Sequence, residues 1–176
     1  MNKQEIIQSL TKKHNDFISL IEKLDDKQFM FAPTSKWTAG QQLDHIYRSV
    51  SPVLIAFRLP AFVPSLLFGK ANRPSRGYDE LIQKYHSKLA GGGAASGRFV
   101  PKAVQLHQKK RLNSDLLKTI HALGKQVERC SEEKLDKYIL PHPLLGKLTF
   151  REMLYFTLYH VEHHHKLVIK NLEGSN

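Results

Sequence analysis

Four imidazoles crowd into the segment LYHVEHHHKL, at His160, His163, His164 and His165. Near neutral pH an imidazole can carry a proton or ligate a metal ion. The local pattern sorts them. Thr149 and Glu152 make a capping box, which starts a helix there. Beyond it, Phe150, Met153, Leu154, Thr157, Val161, His164 and Val168 recur at three- and four-residue steps. At about 100° per residue these fall in one stripe. His160 lies on the stripe's shoulder, His163 on the far side and His165 at the opposite margin. His160 and His164 therefore stand one turn apart on the buried-facing side. Such a pair is either two packed core histidines or two ligands of one metal ion, and a third ligand must come from elsewhere. The chain has a single Glu-x-x-His, Glu162 to His165, with no second, which sets aside a di-metal carboxylate bundle.

The elements that must position a third ligand are helical. Ile6, Ile7, Leu10, Phe17, Ile18, Ile21 and Leu24 give residues 2 to about 24 one apolar side, with His14 inside it. Pro33 interrupts the connector that follows. Thr38 with Gln41 is a second capping box, so a helix starts near Ala39. Its apolar face is Leu43, Ile46, Val50, Val53, Leu54 and Phe57, and Pro52 should bend it. His45 lies off that face, among Gln42, Ser49, Pro52 and Ala56. That small, polar strip is either solvent-facing or one wall of a cleft. Spacing alone favours solvent for His45, and solvent also for Asp44.

Residues 58–77 are rich in proline and read as an irregular insertion, with Phe62, Leu66, Leu67 and Phe68 as a lid, a dimer contact or packing over one end. Tyr78 to Leu89 reads as a short helix. AGGGAASG, residues 90–97, lacks the Lys-Ser/Thr ending and the preceding strand of a phosphate loop, and reads as a connector. Leu106, Leu112, Leu116, Ile120, Leu123 and Val127 predict a third long helix over residues 102–129. SEEKLDKYI adds one or two turns, and PHPLLGK reads as a rigid loop. Strand-like alternation is absent. The pattern predicts a single all-α domain over 1–176, a bundle of four main helices.

Composition narrows the function. Apolar content of 41% and charged content of 24% are those of a globular protein with a core. The net charge of +11 invites nucleic acid, but the basic residues are scattered and no run of them is interleaved with aromatics. A specific nucleic-acid partner is therefore not expected, although small anionic substrates would be attracted. The N-terminal segment mixes charge into every turn, unlike a secretory signal. Val50 to Phe68 carries Arg58 and three prolines, unlike a membrane span. The lone Cys130 excludes an internal disulfide and suits a reducing cytoplasm. With no histidine motif beside it, it reads as a small hydrophobe.

WTAGQQLDHI, followed much later by GKLTFREMLYFTLYHVEHHHKLV, resembles the DinB-like (YfiT-like) metalloprotein superfamily over nearly the whole chain. Trp37, Thr38 and His45 match that family's second-helix motif, and His160 and His164 match its last-helix pair. The sequence departs from the pattern at Leu167, where a glutamine is usual, and at Lys166, where a small residue is usual. The resemblance implies an up-down-down-up four-helix bundle in which His45, His160 and His164 converge on a divalent ion, zinc or nickel. It also implies a small-molecule substrate, with a low-molecular-weight thiol as one candidate, and suggests a homodimer; the polar strip around Gln42 and Ser49 is expected to contribute substrate contacts. Thiol transfer and hydrolysis are the two chemistries expected of such a site, and a non-catalytic metal-binding or stress-response role is the alternative.

Overall fold

Side chains that cap their own first turns start the main helices. The computed structural model describes residues 1–60 and 62–173; position 61 and positions 174–176 of the expected 1–176 domain lie outside the described residues. Asn2 opens α1 (Lys3–Lys23) with a capping box to Glu5, and Asp25 opens the short α2 (Asp26–Met30) the same way. Thr38 and Gln41 open α3 (Ala39–Arg58), which continues through Pro52. Next come α4 (Phe62–Phe68), α5 (Tyr78–Ala90), α6 (Lys109–Glu128), α7 (Glu132–Lys137) and α8 (Phe150–Glu173). The amide of Thr149 donates to Glu152 Oε2 at 2.9 Å and that of Glu152 to Thr149 Oγ1 at 3.1 Å, completing the predicted box before α8.

The long helices α1, α3, α6 and α8 form the bundle, and cross-helix pairs give its directions. Lys3 Nζ donates to Glu128 O and Lys109 Nζ to Leu24 O, so α1 and α6 are antiparallel. Lys13 pairs with Glu162 and Phe17 stacks near His165, so α1 and α8 run parallel. Phe57 meets Phe150 while Gln42 meets His164, so α3 and α8 are antiparallel. The order is up-down-down-up. Each helix turns an apolar stripe inward, for example Ile6, Leu10 and Ile21 of α1 against Leu116, Ile120 and Leu123 of α6, all buried. Burial of such side chains stabilises the fold by roughly 1.5–3 kcal/mol apiece.

Three expectations need correction. PHPLLGK is the turn of an antiparallel hairpin, β1 (Ile139–His142) with β2 (Gly146–Thr149), in the register Ile139–Thr149 to His142–Gly146. Gly146, at φ +77°, supplies the left-handed backbone conformation that closes it. The helix predicted over 102–129 begins only at Lys109; ahead of it lie two single 3-10 turns, at Gly97–Phe99 and Leu106–Gln108. The 58–77 insertion contains α4, in which Pro64 falls within the first turn, where no amide donor is needed. Among the described residues no single helix is long and apolar enough to cross a membrane. Helices α3 and α4 taken together have the length and composition, yet they meet at 115°.

Candidate metal centre

His45 comes from the second turn of α3, and His160 and His164 come from successive turns of the antiparallel α8. All three are buried, with their candidate ligand atoms within 4.8 Å of one another. His160 Nε2 stands 3.1 Å from His45 Nε2 and 3.0 Å from His164 Nε2. The opposite nitrogens decide what those atoms can do. His45 Nδ1 lies 2.7 Å from the Phe99 carbonyl oxygen, which can only accept, so the ring proton sits there and Nε2 is a bare lone pair. His164 Nδ1 likewise donates to Gln42 Oε1, leaving its own Nε2 bare. His160 can offer a proton to one of these two neighbours but not to both. At least one of these two contacts, each about 3 Å long, therefore has no proton between its nitrogens. A divalent cation relieves that conflict. Tetrahedral Zn–N bonds of about 2.0–2.1 Å place ligand nitrogens a little over 3 Å apart, so the three residues fit the ion.

Electrostatics point the same way. Burial drives the basicity of His160 and His164 well below the ordinary imidazole value, and the neighbouring histidines add to this. Burial also lowers His45, against the opposing pull of its bond to Phe99 and of Asp44. Three neutral imidazoles are the protonation state a metal requires.

The surroundings hold these rings in place. Trp37 lies nearly parallel to His164, with centroids 6.1 Å apart and planes at 9°, and also leans on His45 at 5.0 Å. Phe156 stacks on His160 at 4.7 Å. Asp44, expected in solvent, is buried instead. Its Oδ2 accepts from Arg48 Nε at 2.5 Å and from the Lys102 amide at 2.9 Å. It thereby pins to α3 the segment whose Phe99 carbonyl fixes His45. That segment also shields His45 itself, so the solvent reading of spacing is overturned for both residues.

An open cavity of about 680 Å³ leads to the triad, walled by α3, α8, the hairpin and residues 93–99. Ser49 lines it, with its hydroxyl donating to the His45 carbonyl at 2.8 Å. Gln42 does not line it; its side chain lies buried behind His164. His163, placed by the helical pattern on the far side, is half-buried and does line the cavity. His165 packs towards Phe17. Sequence reasoning missed His142, a cavity residue on β1 whose Nδ1 accepts from the amides of Leu144 and Leu145, both at 3.1 Å. Burial, helped by Lys84, lowers its pKa to about 4. Only the sequence Pro-His-Pro marked it, and that carries no periodic signal.

No curated protein matches the chain. The family profile of the DinB superfamily matches residues 9–168, which includes Trp37, Thr38 and all three clustered histidines. Taken with the four-helix bundle, that match establishes that the chain belongs to the DinB superfamily.

Proposed function

We propose that this protein holds a divalent ion on His45, His160 and His164 and uses it on a small-molecule substrate, with transfer of a small thiol to an electrophile as the leading reaction. The observation that carries the reading is the convergence of three buried Nε2 atoms, those of His45 and His164 bare, at the wall of an open cavity. Three protein ligands leave a position for substrate, as reactive rather than structural sites do. Zinc and nickel both suit imidazole. Bound there, such an ion supplies Lewis acidity, making a thiol or a water acidic near neutral pH.

The chain's own groups do the rest. Phe99 O and Gln42 Oε1 keep the protons of His45 and His164 on the Nδ1 side, and the rings of Trp37 and Phe156 exclude water from the imidazoles. Among the described residues the cavity lining contains no Asp or Glu. Water would therefore have to find its base in an imidazole such as His163, whereas a thiol ionises without one, which favours the thiol over hydrolysis.

The test starts from protein purified without a nickel column. Elemental analysis should find about one divalent ion per chain, lost in His45→Ala and in the His160→Ala/His164→Ala double variant. Unchanged metal content in those variants would end the proposal. Small thiols paired with electrophilic acceptors should then turn over faster than ester or amide substrates. Metal binding without activity in either screen would favour a non-catalytic carrier of the same fold.

A further inference from the structure

The cavity is graded along its length. At the histidine end, Lys36 is next in sequence to Trp37 and Arg98 next to Phe99; both cations line the cavity and are exposed at its mouth. From His45 the α3 wall passes through Ser49 to Val53, Ala56 and Leu59 and becomes purely apolar. His45 and Leu59 are fourteen residues apart, so this wall extends about 21 Å. At its far end stand Leu67 and Phe68, the last residues of α4, and Met153 of the antiparallel α8 closes the opposite side. The apolar wall reaches the surface there, with Ile55 and Leu67 59% and 63% exposed.

These features select a ligand class. A ligand dense in hydroxyls would set unpaired polar groups against Val53, Leu59 and Phe68 and lose their hydration without replacement. A cationic ligand would meet Lys36 and Arg98 with no acidic residue in the lining to receive it. An anion whose charge lies at one end of a long hydrocarbon body satisfies both ends.

We infer that the cavity takes an amphiphile, its anionic head at the histidine end beside Lys36 and Arg98 and its extended hydrocarbon body along α3 towards Leu67 and Phe68. The placement of the head rests on the metal-centre reading; the body's seat does not. Of the thiol and its acceptor, the amphiphile is the acceptor, because a small thiol leaves the apolar end of the channel unused.

Straight-chain carboxylates from butanoate to dodecanoate, titrated by calorimetry into zinc-loaded protein and into His160→Ala, test this. Each added methylene should tighten binding by about three- to fourfold until the chain reaches the rim, with the same slope in both proteins. Leu67→Asp, at an exposed position that folding does not depend on, should weaken the longest chains by about tenfold and leave butanoate unchanged. Lys36→Glu with Arg98→Glu should erase the preference for a carboxylate over the alcohol of equal length. If the wild-type protein takes up no zinc yet shows the slope, the amphiphile stands and the metal centre falls. Affinity that does not change with chain length, in protein that holds its metal, overturns the amphiphile alone.

Discussion

Two polar clusters sit on α8, one at its N-terminus and one midway along it, and they are built on opposite principles. At the N-terminal end the buried carboxylate of Glu152 is saturated. Its Oε1 accepts from Arg73 Nη1 at 2.6 Å and from the Arg76 amide at 2.8 Å, and its Oε2 accepts from Arg73 Nη2 and the Thr149 amide, both at 2.9 Å. Burial alone would raise its pKa, but these hydrogen bonds outweigh burial and hold it below the ordinary carboxylate value. Around it Ser75 donates to Asp136 at 2.6 Å, and Asp136 accepts from Arg151. Midway along the helix, three imidazoles use their outer nitrogens on Phe99 and Gln42 where partners exist, and turn their Nε2 atoms on one another. A polar cluster that spends every lone pair within the chain ties segments together. One that leaves lone pairs converging is arranged for a ligand.

The sharpest way to break that division is to swap the readouts. Glu152→Ala leaves Arg73 and Arg76 without their shared anion and frees two backbone amides, so we expect a loss of about 3 kcal/mol, somewhat below the fully buried range because both arginines are part-exposed. For a chain of this size that lowers Tm by about 10 °C. Metal per folded molecule should not change. His160→Ala should do the reverse, abolishing metal uptake while leaving the metal-free protein at least as stable, since one of the facing lone pairs is gone. Thermal melts and elemental analysis on the same samples give both answers. Metal loss from a still-folded Glu152→Ala protein would show that the two clusters are one system.

How far this division could be read from sequence depended on which physical signal each part left. The capping boxes at Thr38 and Thr149 and the apolar stripes of α1, α3 and α8 are local, and the structure has them as expected. The His160–His164 pair was visible for the same reason. His45 and Asp44 were not, because what buries them is Trp37 and the non-helical stretch around Phe99 and Lys102, and a helical wheel represents neither. Only the family resemblance placed His45 with the pair. The hairpin escaped because its strands are four residues each and one contains Pro141, too short and too interrupted for alternation. The arginines on Glu152 come from 76 and 79 residues away, a distance no spacing rule spans.

His14 provides a control for the histidines of α8: a buried imidazole that borders the same cavity but bonds no other histidine. It lies one residue from Lys13, whose ion pair with Glu162 sets it alongside the histidine turns of α8. Its Nδ1 bonds the Leu10 carbonyl at 2.8 Å, and its buried Nε2 has no partner. Burial lowers its pKa to about 4. The unfolded chain, near the ordinary 6.5, then binds more protons than the native one between these values. Stability is full above about pH 6.5 and falls as the pH drops towards 4. In chelator-treated protein, His14→Leu should remove about 2 kcal/mol of that fall, read from denaturant melts at about pH 7 and about pH 4.5. Metal content near neutral pH should be unaffected. An unchanged pH slope would mean that His14 is not the isolated group its surroundings make it.

Gln42 tests the boundary between the two kinds of cluster at finer scale. Its position on the polar strip of α3 suggested contact with substrate, whereas its side chain is buried and accepts from His164 Nδ1. Acting there, it biases His164 towards the tautomer whose Nε2 is free for metal. Gln42→Leu keeps approximate volume but removes the acceptor, so metal affinity in a chelator competition should fall about 10- to 100-fold, the usual cost of losing a ligand's hydrogen-bond partner. Gln42→Glu restores an acceptor, now charged, and should recover that affinity. Stacking of Trp37 on His164 remains in both variants, so ring position alone does not predict the difference between them. If Gln42→Leu instead binds metal at full affinity and loses only substrate binding, the residue faces the cavity in solution, and the expectation drawn from its place on the strip is the right one.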